Sequence, residues 1–464
     1  MDLLEQKKKF PEKTLIKNIH KIYLTLALLL GALLAIGMPF FNEPDGQYHY
    51  IVSSQIAGLT TNLSHYGEQT IGTGVDGQVP FYQDNTRFEE YYLQKIEVMP
   101  NSKLPRATEL PSVFSYNYVG HLIPAIGVWL GYHVYPSLGV MITVARLFSV
   151  FVCSIAMFFI IKRVKKGKLL FAAVMLSPVA MNSFASLSYD AINFVWVAML
   201  VAVAINFILD EKIKIWRILQ ILVMSGLTVI WAKTNFIIVI PVFLLIFIGK
   251  LVGSKKERKS RIYGRTLALQ RTFKSKYRPE KNRLLLFILV FLAVIAAVAA
   301  LIILGARYGG GLKVISLFLT TFTYRHNGIS VAVISQSLLA QPYPEINFVP
   351  LWLSAVWLVL IVIVTLSEEK YVESKFISYG TLVLFILAVI AVYYGFLSTA
   401  AGNGYISGVQ GRYFTPLLLL FSIISGHKSF KLKLHSYKTV VIALIVIAVG
   451  SNVLLLVDTL QAIL

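Results

Sequence analysis

The chain has 464 residues, of which 57% are hydrophobic and only 14% charged, and its mean hydropathy is +0.71. This balance excludes an ordinary soluble enzyme and places most of the mass in lipid, so the expected class is an all-α polytopic membrane protein. A net charge of +21 suggests nucleic acid at first sight, but that reading disappears once the basic residues are sorted by membrane side.

In chain order, runs poor in charge and long enough to span lie at 22–41, 138–161, 169–184, 191–209, 215–231, 236–249, 284–304, 350–366, 376–396, 413–425 and 439–457. They predict about eleven transmembrane helices. The Lys-rich N-terminus looks like a signal peptide, yet the apolar run after it is too long for one, so it is read as a retained first span. A further stretch, 118–135, would as a span send Lys162, Arg163, Lys165 and Lys166 outside. It is therefore expected at the interface, with Trp129, Tyr132, His133 and Tyr135 at headgroup level.

With the N-terminus inside and the C-terminus outside, segments 1–21, 162–168, 210–217, 250–283, 367–375 and 427–438 are cytoplasmic and hold most of the Lys and Arg. The basic loop 250–283 suits an anionic lipid surface, and no nucleic-acid partner is inferred. Cys153 has no second cysteine to pair with, so it reads as core filler. Residues 1–464 form one transmembrane domain with a large first extracytoplasmic loop, 42–137, whose prolines favour short helices such as one near 87–96. No tandem repeat is present, and no matched pair of glycine-broken helices marks an inverted-repeat carrier.

Polar residues recur at the predicted outer ends of the spans. Glu43, Asp45 and His49 follow the first, and Arg146 lies early in the second. Ser186, Ser188, Tyr189 and Asp190 form a tight turn between the third and fourth, Lys233 and Asn235 occupy the next outer turn, and Gln410, Gly411, Arg412 and Tyr413 open the tenth. Converging in one outward cavity, they suit glycosyl transfer from a lipid-linked sugar phosphate: Asp45 takes the acceptor proton with Glu43 and His49 as further catalytic candidates, Arg412, Lys233 or Arg146 holds the phosphate, and Tyr189, Asp190, Gln410 and Tyr413 support them. Duller readings stand beside these. Asp190 suits a helix cap, Arg146 suits an ion pair with Asp190 or a first-loop acid, and His49 suits a local hydrogen bond. His121, His133, Arg325 and His326 are weaker candidates.

Pro44-Asp45-Gly46-Gln47-Tyr48-His49, Ser186-Leu187-Ser188-Tyr189-Asp190 and Gln410-Gly411-Arg412-Tyr413-Phe414-Thr415-Pro416 resemble motifs of the bacterial membrane family catalogued as domain of unknown function 2142. That family looks like a branch of the GT-C glycosyltransferase superfamily. The resemblance, over roughly residues 20–425, implies a GT-C-like bundle, a first loop with short juxtamembrane helices and a polyprenyl-phosphate sugar donor. It also implies Asp45 as catalytic acid residue of the first loop, Asp190 as the acid of the second outer turn and Arg412 as a donor-phosphate ligand. The family's Pro-Asp-Glu-Pro-x-His reads here with Gly46 in place of the second acid. Either Asp45 acts alone, or Glu43 supplies the missing carboxylate, or the chain binds without catalysing.

The expectation is thus a multi-pass glycosyltransferase of a bacterial plasma membrane, acting on a cell-surface glycan or teichoic-acid-type polymer. No cofactor is identified, and although the superfamily admits a divalent cation, two or three loosely spaced acids do not define a site. The alternatives are a lipid-linked sugar transporter or flippase, and a non-catalytic scaffold of an envelope-polysaccharide assembly complex.

Overall fold

The computed structural model describes residues 18–41, 43, 45–63, 88–104, 109–251, 306–323, 337–342, 349–400, 404–429, 432 and 437–463. Among them the regular structure is helical, with an isolated β bridge between Val372 and His427. The predicted span 284–304 and nearly all of the basic loop lie outside the described residues.

The helices, in chain order, are α1 (Ile19–Gly37), α2 (Gly46–Ile56), α3 (Tyr116–Gly120), α4 (Leu122–Val134), α5 (Leu138–Arg163), α6 (Lys168–Met175), α7 (Pro178–Phe184), α8 (Asp190–Leu209) and α9 (Ile215–Trp231). There follow α10 (Thr234–Leu251), α11 (Gly311–Thr323), α12 (Leu351–Ser367), α13 (Lys375–Gly395), α14 (Phe421–Ile424) and α15 (Tyr437–Ile463). Six of these, α1, α5, α8, α10, α13 and α15, are long and apolar enough to cross a membrane. The expected short helix near 87–96 is a single π-type turn, Glu89–Leu93.

Two compact units divide the chain. One comprises residues 1–246, 333–389 and 410–464, and the other 247–332 and 390–409. In the second, the Thr321 hydroxyl accepts the Ile406 N–H at 2.9 Å and Phe322 packs on Tyr393.

At the centre of the first unit is α5, which packs against α1, α4 and α8. It starts at Ser137, whose hydroxyl accepts the Val140 N–H, and its last turn carries Lys162 and Arg163. Its 26 residues rise about 39 Å, more than a hydrocarbon layer of roughly 30 Å, which leaves that basic turn at the boundary. The stretch expected as one interfacial helix is instead α3 followed by α4, and α4 lies directly on the α5 backbone. Gly127 and Gly131, one turn apart, make this approach possible: added Cβ atoms would stand 2.5 Å from Ala145 Cα and 2.6 Å from Met141 Cα.

Two predicted spans turn out to be broken. The run 169–184 is two short helices, α6 and α7, separated at Leu176 and Ser177 and buried along both. Pro178 starts α7 and cannot donate back into α6, so the ladder ends there, and Ser177 caps the new start. The run 413–425 is a pair of 3-10 turns, Gly411–Tyr413 and Thr415–Leu420, leading into α14, with Pro416 at the second start.

A break inside an apolar environment exposes backbone groups that water cannot reach. Here the Asn452 side chain, from α15, donates to the Leu176 carbonyl at 3.0 Å, and the Val179 N–H donates to the Leu339 carbonyl at 3.2 Å. Leu at 452 preserves the volume and removes the donor. Asn452→Leu is therefore expected to cost about 1–3 kcal/mol, read as a lower thermal midpoint of the detergent-solubilised chain; an unchanged midpoint would show that another group satisfies that carbonyl.

Candidate functional site

The first loop is tied down by Arg146. From α5 its guanidinium donates to the carbonyls of Met38 at 2.8 Å and Pro39 at 2.9 Å and to Glu43 Oε2 at 3.1 Å, beneath the Phe40 ring. The other carboxylate oxygen of Glu43 accepts the Leu187 N–H at 3.3 Å. Both side chains are buried, at 1% and 4% exposure. Of the partners expected for Arg146, the structure selects the first-loop acid, and it commits Glu43 and Arg146 to each other rather than to an open cavity.

Held in this way, the loop reverses tightly into α2. Phe41 and Asp45 adopt positive φ of 57° and 61°, and the Gly46 N–H returns to the Glu43 carbonyl at 3.0 Å. Positive φ costs a side-chain-bearing residue free energy and persists where the surroundings enforce it. A Cβ on Gly46 would lie 2.7 Å from Phe41 Cα. The loop thus runs close enough to the start of α2 that a side chain at position 46 would require the Phe41 backbone to shift.

Asp45 precedes α2 but makes no capping bond. Its half-buried carboxyl sits in the field of Arg412, Lys233 and Asp190. Burial raises its pKa, and the two cations oppose the rise without cancelling it.

Around Asp190 the second and third motifs meet. Lys233 Nζ lies 3.2 Å from Asp190 Oδ1, and Arg412 Nε lies 3.5 Å from Asp190 Oδ2. Asp190 is the first residue of α8 rather than its cap, because its carboxylate serves these cations instead of an N–H group. Lys233 Nζ sits between the Tyr189 and Tyr413 rings, 5.0 and 4.3 Å from their centroids, where the ring faces favour a cation. Its backbone N–H donates to Asn193 Oδ1 at 2.9 Å. The turn that carries Arg412 is pinned through the Gly411 N–H to the Ser337 hydroxyl and through the Tyr413 carbonyl to the Asn235 amide at 2.9 Å. Gln410 leads into that turn.

His49 and His121 complete the surroundings. His49 Nδ1 is 2.7 Å from His121 Nε2, and His121 Nδ1 bonds the Asn117 carbonyl. Tyr189 packs edge-on against both rings. Burial holds both histidines neutral, with His121 lowered to about 4 and His49 also well below its ordinary value, further depressed by His121, Arg412 and Lys233. Among the described residues no group of three or more His, Cys, Asp and Glu side chains is placed to hold a metal ion.

Asp45, His49, Tyr189, Asp190, Lys233, Arg412 and Tyr413 thus share one neighbourhood, while Glu43 and Arg146 lie behind the loop that carries Asp45. Sequence reasoning undervalued His121 and passed over Asn193, Ser337 and Asn452. Asn193 and Asn452 had a usable signal, a polar amide within an apolar span.

Among the described residues, six helices long and apolar enough to cross a membrane and a buried charged cluster beside the first loop mark an integral membrane protein. The chain belongs to the family of predicted membrane proteins catalogued as domain of unknown function 2142 (DUF2142), whose model matches residues 28–421 and so covers all three motifs. No curated protein and no solved structure matches it.

Removing one partner of a buried ion pair strands the other charge. Arg146→Leu is expected to destabilise the protein by about 3–5 kcal/mol, checked by thermal unfolding in detergent, and a near-normal midpoint would remove the anchoring role. A second outcome concerns pH. The unfolded chain binds protons on histidine from about pH 6.5 downward, whereas His49 and His121 resist protonation in the fold, so stability is full above that value and falls as pH drops toward about 4. Replacing both histidines with Gln should flatten that part of the stability profile.

Proposed function

We propose that the protein is a GT-C-like glycosyltransferase of a bacterial plasma membrane, with about eleven spans and its N-terminus in the cytoplasm. It moves a sugar from a polyprenyl-phosphate donor to a cell-surface glycan or teichoic-acid-type polymer on the outer face. The supporting observation is the grouping of Lys233 and Arg412 on the single carboxylate of Asp190, with Asp45 in the same field. Two cations around one closely paired carboxylate suit a phosphate, and the Arg fork offers it parallel hydrogen bonds.

The raised pKa of Asp45 makes its carboxylate a stronger base than an exposed one. In the proposed step this carboxylate takes the proton of the acceptor hydroxyl. The hydroxyl oxygen forms a bond to the anomeric carbon as the bond from that carbon to the phosphate oxygen breaks. The electron pair leaves with the polyprenyl phosphate, whose growing charge Arg412 and Lys233 stabilise. Attack opposite the leaving group inverts the anomeric configuration. Glu43 and Arg146 support the loop rather than the reaction.

The test compares the sugar composition of envelope polymers from a deletion strain complemented with wild type, Asp45→Asn or Arg412→Ala. Asp45→Asn is expected to lower transfer by about a hundredfold or more, and Arg412→Ala by roughly a hundredfold. A lipid-linked sugar carrier would keep much of its transport without the Asp45 carboxylate, and full complementation by both variants would leave only a scaffold.

A further inference from the structure

The hydrogen bonds around His49 determine where its protons lie. The Asn117 carbonyl can only accept, so His121 carries its proton on Nδ1 and offers a bare Nε2. That bare nitrogen can only accept, so His49 must donate to it from Nδ1. In a neutral imidazole with Nδ1 protonated, Nε2 holds the lone pair, and among the described residues no group donates to His49 Nε2. Both rings are buried, at 2% and 0% exposure, and the Tyr189 ring that packs edge-on against His49 has Lys233 Nζ 5.0 Å from its centroid.

This nitrogen has a restricted choice of ligand. A lone pair repels phosphate oxygens and attracts an O–H or N–H donor. A carboxylate at this place would be drawn into the ion pairs of Lys233 and Arg412, and a third cation would repel them. A neutral imidazole does neither. Next to an anion-binding pair, such an acceptor suits a molecule that presents a hydroxyl close to its phosphate.

We propose that His121 is a positioning residue that holds His49 with Nε2 bare, and that His49 Nε2 accepts a hydrogen bond from a ring hydroxyl of a sugar phosphate whose phosphate lies on Lys233 and Arg412. The proposal rests on the functional reading above and narrows its substrate: the site recognises a sugar hydroxyl besides the one that reacts, and so discriminates a glycosyl phosphate from a bare lipid phosphate. No bond is made or broken at His49.

The experiment uses the full-length protein in nanodiscs with 15N-labelled histidine rings, and His49→Phe assigns the His49 signals. In the wild type His49 is expected to be protonated at Nδ1 and bare at Nε2. His121→Gln, whose amide oxygen still accepts, should preserve that state, whereas His121→Phe should release the Nε2-protonated form. Glucose 1-phosphate is expected to shift the His49 Nε2 resonance and inorganic phosphate to leave it in place. His121→Phe should weaken glucose 1-phosphate binding roughly fivefold without changing that of inorganic phosphate.

A wild-type His49 protonated at Nε2, a glucose 1-phosphate that leaves Nε2 unmoved or does not bind, or equal weakening of both probes by His121→Phe would each overturn the proposal. None of these measurements depends on turnover. Recognition could therefore stand while an inactive-base variant that fully complements removes the transferase, and the reverse pair of results is equally distinguishable.

Discussion

The buried pair between Arg146 and Glu43 is the constraint from which the polar centre is built. One guanidinium reaches two backbone carbonyls at the end of α1 and one carboxylate in the following loop. Through Leu187 that carboxylate also holds the turn that leads to Asp190. A single ion pair thus sets the relative position of the first two motifs. Desolvating two charges is costly, and their attraction repays it only with good geometry and further hydrogen bonds. Here those bonds go to backbone, so the cost is recovered as a fixed loop shape. Positive φ at Phe41 and Asp45 is sustained in the same way.

The polar centre beyond the loop separates two electrostatic tasks. Lys233 and Arg412 gather on Asp190, where aromatic faces and a carboxylate stabilise positive charge in a place water scarcely enters. His121 stays neutral because it is buried, and His49 because burial, His121 and those same cations disfavour further positive charge. Asp45, half buried, stands between the two regimes. In the proposed function the cationic platform holds an anion, while the carboxylate of raised pKa and the neutral acceptor engage hydroxyls.

Around α5 and its neighbours the fold relies on backbone satisfaction and close approach. Gly127 and Gly131 let α4 touch the α5 backbone, where many close dispersion contacts add up. The break between α6 and α7 is tolerated because Asn452 and Leu339 complete its hydrogen bonds. Polar side chains inside apolar helices here serve the backbone of other helices as well as the site.

The sequence by itself determined the class and the main spans, because apolar runs of transmembrane length leave the chain no other place than lipid, and the long helices α1, α5, α8, α13 and α15 follow those runs closely. It also marked Asp45, Asp190, Lys233 and Arg412, since charge beside such runs is costly unless it is used. Only the tertiary structure decided the pairings: Arg146 with Glu43 rather than with Asp190, and Asp190 as a cation partner rather than a cap. It alone revealed that 169–184 and 413–425 are broken and that His121 bonds His49. Hydropathy is a sum along the chain, blind to which distant donor or counter-charge arrives, whereas the worth of a buried polar group depends on that partner alone.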